Sequence, residues 1–383
     1  MFDIVLIGSG LIAESFLEGL LQTEKPLKVC VVAPSGYPSS PLKTVELDGG
    51  LVTSMYSGCR GLGAGWHGVI PSKYIGNDES LKLLRSWYGD MRKQSLLCDS
   101  DSRVFVPYRV HRPKMRNLNS VHFISGLVRR IHGRDKNPSI ELADGQMLAC
   151  KKVYCAAGPI NTYSLFARSS DLHDSFKLNS FMGDHVTAYL GYVSNKYSPP
   201  DMARHGGGFS YQTQLLHDCV IFKRPAVCDF NNADNVANYT RAWSNQKTDI
   251  IKKLITNGSA GLIGEALFNK FGIVLPSRGT NVYAQIESKQ IFRLINNSWV
   301  TNEESLKKVF ATISLLRAGV SGLSVPEKYK VGVGIHFFGN IQPLSSDSCI
   351  KVLDASIDQH LGPYHHTFFK CVKAYELGKC YDK

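Results

Sequence analysis

The residues with the clearest chemistry stand near the start of the chain, where a β-branched segment runs into Gly8-Ser9-Gly10-Leu11-Ile12-Ala13. This Gly-x-Gly-x-x-Ala spacing suits a pyrophosphate, because Gly8 permits a sharp turn, Gly10 lets the backbone approach the ligand and Ala13 keeps helix and strand close. The anion would lie at a helix N-terminus, where the dipole favours negative charge. A buried strand with an ordinary Gly-rich turn is the alternative, but the strand–turn–helix context favours a dinucleotide site.

A second group of reactive side chains stands in two histidine-containing segments late in the sequence. His336 lies in the first, and His365 and His366 lie in the second, with the segment Val352-Leu353-Asp354-Ala355-Ser356 between them. Imidazole transfers protons near neutral pH, so both segments are candidates for acid–base chemistry. A histidine satisfied within the core is the ordinary alternative for each. No cysteine or carboxylate stands at ligand spacing, so we expect no metal.

A third candidate is the glycine-rich segment 58–68, which holds five glycines together with Trp66 and His67. So many glycines cost backbone entropy unless a ligand or another part of the chain must come very close. A flexible surface loop is the alternative, but the embedded Trp-His pair favours a loop that covers a cofactor.

These residues require a framework, and hydrophobic periodicity predicts one. A helix at 14–21 and a buried strand at 27–33 complete a strand–helix–strand unit. That second strand lacks the acid that binds the ribose of NAD, which leaves the ribose contact open, and Ser35 is a candidate substitute at this place. The strand at 147–155 ends in Ala156-Ala157-Gly158, which is typical of a strand packed tightly against a bulky group. Further predicted elements are a loop at 36–50, a helix at 80–97 and strands at 121–124, 127–131 and 139–142.

The second half of the chain has a different character, with alternation that is typical of antiparallel strands. We predict strands at 186–193, 207–214 and 219–223, helices at 243–256 and 303–316, a hairpin formed by 281–287 and 291–294, and a closing helix that ends at 379. This pattern predicts a second, substrate-covering α+β domain built on an antiparallel sheet.

Composition limits the classes of function. The chain has 383 residues and a net charge of +12, but its basic residues are spread, so we expect no nucleic-acid partner. The ten cysteines lack regular spacing, which indicates thiols in a reducing compartment. No apolar run reaches about 18 residues, so no membrane span is expected. The first twenty residues carry three acids and no basic n-region, so a signal peptide is not expected and the predicted location is cytoplasmic.

Five segments, in this order along the chain, resemble the glucose-methanol-choline (GMC) family of FAD-dependent oxidoreductases. They are Gly8-Ser9-Gly10, the segment Gly61 to Gly68, the segment Cys155 to Thr162, Met182-Gly183-Asp184-His185, and the tail with His336 and Val352 to His366. The resemblance implies an α/β fold with a discontinuous, Rossmann-like FAD-binding domain at 1–180 and 331–383, and a substrate domain at 181–330. The chain departs from the family pattern at Asn340, which replaces a threonine, and in the missing acid after the second strand.

Pattern and resemblance together give a set of candidate site residues. His336 is the expected catalytic base, and His365 is its partner at the substrate oxygen. The expected FAD-binding residues are Gly8, Ser9, Gly10, Leu11, Ser35, Gly61, Gly63, Gly65, Trp66, His67, Val128, Ala157, Gly158, Asp354, Ala355, His366 and Thr367.

The implied reaction is oxidation of an alcohol by hydride transfer to flavin N5. A secondary hydroxyl of a sugar or polyol-like small molecule is the expected substrate, because Trp66, Phe337, Phe338 and Tyr364 suit stacking on a ring and Asn340 and Gln342 suit hydroxyls. The electron acceptor is left open. Two alternatives also stay open: an NAD(P)-dependent dehydrogenase, and a non-catalytic binding protein with an FAD-type fold.

Overall fold

Two seven-stranded sheets organise the described part of the chain in a computed structural model. The structure describes residues 1–23, 26–34, 43–47, 51–55, 70–71, 78–88, 104–105, 121–133, 137–194, 212–226, 279–325, 330–333, 337–344, 348–360 and 366–381.

The helices of this part are α1 Leu11–Leu20, α2 Asp78–Tyr88, α3 Pro159–Arg168, α4 Glu303–Ala318 and α5 His366–Lys379. The strands are β1 Phe2–Ile7, β2 Val29–Ala33, β3 Lys43–Leu47, β4 Leu51–Met55, β5 Ile70–Pro71, β6 Val104–Phe105, β7 Val121–Ser125, β8 Val128–His132, β9 Ser139–Leu142, β10 Met147–Cys155, β11 Phe176–Leu178, β12 Phe181–Val193, β13 Gln212–Leu216, β14 Cys219–Ala226, β15 Gly279–Ile295, β16 Ser298–Thr301, β17 Leu323–Ser324, β18 Lys330–Val333, β19 Ile341–Pro343 and β20 Ile350–Val352.

The first sheet contains a parallel array in the order β7-β2-β1-β10-β20, and the antiparallel strands β9 and β8 extend it from the first half of β10. Val5, Val31 and Val153 are buried in its interior, as expected for strands covered on both faces. The connections diverge between β1 and β10, and ligands of open parallel sheets bind at the carboxyl ends of strands at such a point. The predicted Rossmann-like array is therefore present, and β20 brings the tail into it.

Helices α1 and α5 lie parallel to each other. Leu11 and Phe368, near the two N-termini, share one hydrophobic cluster. Near the C-termini the backbones approach closely, because a Cβ atom at Gly19 would lie 2.1 Å from the carbonyl oxygen of Tyr375 and one at Gly378 would meet the α1 backbone at 2.3 Å. Both helices therefore begin at the same end of the layer.

The second sheet is antiparallel, in the order β13-β14-β15-β12-β17, with β16 beside β15 and β18 beside β12. Helix α4 begins after Asn302, whose side chain accepts a hydrogen bond from the Glu304 amide at 3.2 Å. Its buried stripe, with Leu306 and Ile313, packs against one face of the sheet, where Val186 and Ala284 are buried. The predicted α+β second unit is thus present.

Several predictions of local structure are wrong or fall wholly or partly outside the described residues. The predicted hairpin at 281–287 and 291–294 is one strand, β15, in which Lys289 and Gln290 are exposed at an irregularity opposite β12 rather than in a turn. The turn comes at Asn296 and Asn297, which have positive φ angles of 49° and 61°. The predicted loop at 36–50 contains strand β3. The helix predicted at 243–256 lies outside the described residues.

Candidate functional site

The turn after β1 is held against the end of β10. Gly8 has φ of +110°, and a Cβ atom there would lie 2.3 Å from the carbonyl oxygen of Ala156. The Gly8 amide donates to the Val32 carbonyl at 2.9 Å, and the Ala156 amide donates to the Ile7 carbonyl at 2.8 Å. A side chain at Gly8 is therefore excluded by both backbone conformation and space.

The N-terminus of α1 opens directly after this turn. Gly10 is the N-cap residue with extended backbone, and as a glycine it has no side chain that could cap the helix. The first helical amides have no intrahelical acceptor. Ser9 is 4% exposed, and its hydroxyl has no hydrogen-bond partner among the described residues. An anion bound here would satisfy both the amides and the buried hydroxyl, so a pyrophosphate fits this place.

Asp354 joins the tail to the end of β10. Its Oδ2 atom accepts from the Gly158 amide at 2.9 Å and from the Thr162 hydroxyl at 2.6 Å. Its Oδ1 atom accepts from the amide and the hydroxyl of Ser356. The carboxylate is 2% exposed and is used fully within the protein. Two segments that are nearly 200 residues apart, the Cys155–Thr162 segment and the Asp354 segment, are therefore brought together.

The tail also contacts the second sheet. Phe338 and Gly183 exchange two backbone hydrogen bonds at 2.9 and 3.0 Å, and a Cβ atom at Gly183 would lie 2.3 Å from the Phe338 ring. The Gly339 amide donates to the Ala355 carbonyl at 3.1 Å. Asn340 is fully buried, and its Nδ2 atom donates to the Pro159 carbonyl at 3.0 Å. Residues 338–340 therefore connect the two sheets.

The predicted base falls beside this junction in sequence, although His336 itself lies outside the described residues. Val333, three residues before it, pairs with Val186 on β12. Phe338, two residues after it, pairs with Gly183 on the same strand. The chain on both sides of His336 is therefore anchored to β12, next to Asp184 and His185.

The remaining predicted site residues divide into two groups. Among the described ones, His366 and Thr367 begin α5, at the end of the layer where α1 begins. Val128 begins β8 and packs against the core of the first sheet. Those outside the described residues are Ser35, Gly61, Gly63, Gly65, Trp66, His67, His336 and His365.

Phe337 and Phe338 do not have the stacking role predicted for them, whereas Trp66 and Tyr364 lie outside the described residues. Phe337 is 3% exposed and packs edge-on against Phe292 at a centroid distance of 5.7 Å. Phe338 is 1% exposed against Gly183. Both are therefore core residues, and neither presents a free face for stacking on a substrate.

Thiols near the site are kept neutral. Burial, together with the nearby Asp354 carboxylate, raises the pKa of Cys155 well above its ordinary value. Burial also raises the pKa of Cys371, on α5, to about 12. Neither side chain is a nucleophile near neutral pH, because the thiolate is the reactive form. The described residues contain no group of three His, Cys, Asp or Glu side chains that could hold a metal ion.

The residue pattern missed a polar cluster on the face of the second sheet that α4 does not cover. His185 on β12 lies directly opposite Glu287 on β15, and Gln285 and His360 contact the same pair. The sequence does predict that residues 285 and 287 share a face, because side chains alternate along the segment from Val282 to Glu287. The prediction of a turn at 288–290 hid the pairing of this segment with His185.

Two solved structures share the fold along nearly the whole chain. Pyridoxine 4-oxidase from Mesorbium loti has a TM-score of 0.51 and 12% identity, over 100% of this chain and 99% of that one. An FAD-dependent oxidoreductase from Chaetomium thermophilum has a TM-score of 0.52 and 10% identity, over 99% and 98%. No protein-family model and no curated protein matches the chain. At this level of identity the similarity establishes the fold, and the expected two-unit α/β class is confirmed.

No described helix combines the length and the apolar composition that crossing a bilayer requires.

Proposed function

We propose that the chain is an FAD-dependent oxidoreductase that oxidises a secondary hydroxyl of a sugar or polyol-like substrate. The observation that carries this proposal is the return of the tail to the first sheet, through β20 and the Asp354 carboxylate. This return brings Asp354 to Gly158, at the carboxyl edge where the Gly8 turn and α1 begin, and we propose that His336 and His365 act beside that edge. A cofactor that extends from α1 toward the second sheet would meet the tail.

Gly8, Ser9, Gly10 and Leu11 would hold the pyrophosphate of FAD. Three observations support this: an added Cβ atom at Gly8 has no space, the buried Ser9 hydroxyl has no partner among the described residues, and Gly10 has no side chain to cap the helix. His366 and Thr367 begin a helix whose N-terminus lies beside that of α1, which adds favourable dipole. From the sequence pattern, we propose that FAD is also contacted by Ser35, Val128 and the segment 61–67.

The chemistry divides between cofactor and protein. FAD, when bound, supplies the hydride acceptor. His336 takes the hydroxyl proton of the substrate, and His365 donates a hydrogen bond to the substrate oxygen, where negative charge develops. Imidazole suits the first role because its ordinary pKa lies near neutral pH.

The second sheet offers a surface suited to a hydroxylated substrate. On the face opposite α4, Thr187 pairs with Gln285, and Tyr189 lies 5.2 Å from Tyr283 between ring centroids. Amide and hydroxyl groups beside aromatic rings bind sugars through hydrogen bonds and stacking. This face replaces Phe337 and Phe338 as the expected aromatic contact.

The experiment that tests the cofactor is a visible spectrum of the purified protein. FAD absorbance is expected in the wild type, and Gly10→Glu should give a colourless protein, because a carboxylate at the N-cap would occupy the anion site and repel the pyrophosphate. A fully loaded yellow variant would contradict the site. A colourless wild type that binds NAD(P)H would favour the dehydrogenase, and one that binds neither would favour a non-catalytic protein.

The assignment of the base has a separate test. His336→Ala should keep FAD bound but abolish reduction of the flavin by substrate under anaerobic conditions, a loss of about 10²–10⁴-fold, as for other removed general bases. Lys308→Ala, at an exposed position on α4, is the matched control. Reduction at the wild-type rate in His336→Ala would exclude this histidine as the base.

A further inference from the structure

We infer that His185, Glu287 and His360 form a proton relay that connects the buried polar face of the second sheet with solvent. The three side chains come from β12, β15 and the segment after Asp354. The side chain of His185 is 6% exposed, that of Glu287 is 16% exposed and that of His360 is 63% exposed. The series therefore runs from the interior to the surface.

The contacts follow the same order. His185 and Glu287 are directly opposite each other on adjacent antiparallel strands. The Nε2 atom of His185 lies 3.9 Å from Oε2 of Glu287, and the other carboxylate oxygen, Oε1, lies 2.5 Å from Nδ1 of His360. The two carboxylate oxygens of Glu287 therefore face different imidazoles, Oε2 that of His185 and Oε1 that of His360. The longer gap must shorten by about 1 Å for a hydrogen bond, a movement within reach of a side-chain adjustment.

Gln285 fixes which nitrogen of His185 carries the proton. Its Nε2 atom lies 3.2 Å from His185 Nδ1, and an amide nitrogen acts only as a donor. Nδ1 therefore accepts, and the proton of the neutral ring is on Nε2, the atom that faces Glu287. The backbone amide of His185 donates to Asp184 Oδ1 at 2.7 Å, which fixes the residue on the strand. The inner end of the relay is thus held with its transferable proton directed outward.

The transfer is balanced in protons and involves no electrons. The incoming proton binds His185 at Nδ1 once the Gln285 amide has turned its oxygen toward that nitrogen, and the imidazolium then gives its Nε2 proton to Glu287 Oε2. The carboxyl group turns and gives that proton to Nδ1 of a neutral His360 that carries its own proton on Nε2, and His360 then releases the Nε2 proton to water. One proton enters at His185 and one leaves from His360, and rotation of the amide and of the two rings restores the starting tautomers. Two further charged groups flank the outer segment, Asp358 and its ion-pair partner Lys370 at 2.7 Å.

The use of this relay in catalysis rests on the proposed function. Alcohol oxidation leaves one proton on the base, and that proton must reach solvent before the next turnover. The residues that flank His336 pair with Val186 and Gly183, on either side of Asp184 and His185. We therefore assign His185, between these two pairing positions on β12, as the acceptor of the proton that the base of this segment takes up.

The test measures solvent exchange of the His185 Nε2 proton by NMR of protein labelled with ¹⁵N-histidine, with His185→Gln to assign the signal. Glu287→Gln, which keeps the shape but cannot pass a proton, should slow the exchange by about a hundredfold. His360→Asn at the exposed end should also slow it. Glu304→Gln, which removes an exposed carboxylate paired with Lys308, is the control and should leave the exchange unchanged.

The double variant makes the test more stringent. Residues in series on one path give non-additive effects, so Glu287→Gln with His360→Asn should be no slower than the slower single variant. Wild-type exchange in Glu287→Gln, or additive slowing in the double variant, would overturn the relay. The measurement needs no FAD, so slowed exchange in a protein that binds no flavin would support the relay while contradicting the proposed function.

Discussion

Replacement of Gly8 by alanine tests the geometry on which the dinucleotide site depends. Gly8 has φ of +110°, and the new Cβ atom would lie 2.3 Å from the Ala156 oxygen and 2.7 Å from its carbonyl carbon, whereas an ordinary contact begins at 3.4 Å. The positive φ alone costs about 1–2 kcal/mol for a residue with a side chain. The contact atoms belong to the backbone of Ala156, directly after β10, so the ends of β1 and β10 must separate, and we expect a total loss of roughly 3–5 kcal/mol.

Gly145 provides the matched control. It lies in the turn between β9 and β10 with φ of +87°, and nothing lies within 4 Å of its added Cβ atom. Gly145→Ala therefore carries the conformational cost without the steric one, about 1 kcal/mol. The difference between the two variants isolates the close approach of the Gly8 turn to Ala156.

Hydrogen exchange of the β1 amides is the suitable assay, because the two sheets need not unfold as one unit. A loss of about 3 kcal/mol accelerates exchange by roughly a hundredfold, since 1.4 kcal/mol corresponds to a factor of ten, and Gly145→Ala should accelerate it only about fivefold. Equal acceleration in the two variants would show that the close approach contributes nothing, and the reasoning about Gly8 would be wrong.

Two further predictions concern carboxylates of the tail and its surroundings. Asp354→Asn should destabilise the protein by roughly 3 kcal/mol in urea denaturation, because the new amide nitrogen would face donors such as the Gly158 amide. Asp144→Asn is the control and should cost little, because its remaining side-chain oxygen can still accept from the exposed Gln146 amide. Equal losses of stability in the two variants would contradict the role of Asp354. Burial raises the pKa of Asp358 despite the Lys370 ammonium, so this carboxyl group holds its proton more tightly in the folded than in the unfolded protein. The free energy of unfolding should therefore fall as pH rises from about 4, the ordinary pKa, through the raised pKa of the folded state. Asp358→Asn should remove this dependence of stability on pH and, at pH 7, should cost roughly 3 kcal/mol because Lys370 stays buried without its carboxylate. The double variant with Lys370→Met should regain that lost stability. A dependence that persists in Asp358→Asn would assign the titration to another group.

Local patterns predicted much of the first sheet. The predicted bounds of β9 and β10 are the observed ones, because alternation and the Asp144-Gly145 turn mark their ends clearly. Helix α1 begins three residues earlier than predicted, at Leu11, because helix formation follows the glycine turn directly. In β15 the polar segment after Glu287 resembled a turn, and only the pairing with β12 shows that the strand continues.

The site depends on contacts that no local pattern contains. Asp354 stood out in the sequence for its place between histidines, but its partners Gly158 and Thr162 lie 196 and 192 residues away. The pair formed by Glu287 and His360 spans 73 residues and crosses from one sheet to the tail. Such contacts are fixed by tertiary packing, so sequence reasoning predicted a role for the tail without identifying the residues that position it.

The distribution of charge at the carboxyl edge of the first sheet decides where an anionic cofactor fits. Helices α1 and α3 both begin there, each with a positive dipole end. At α3 the Gly158 amide is bound to Asp354, so a carboxylate of the protein already occupies that N-terminus. At α1 the N-cap is a glycine without a side-chain bond, and the neighbouring Ser9 hydroxyl is buried and unpaired. Since a pyrophosphate at α3 would face the Asp354 charge, α1 is the helix that should receive it, and Gly158 then serves to attach the tail.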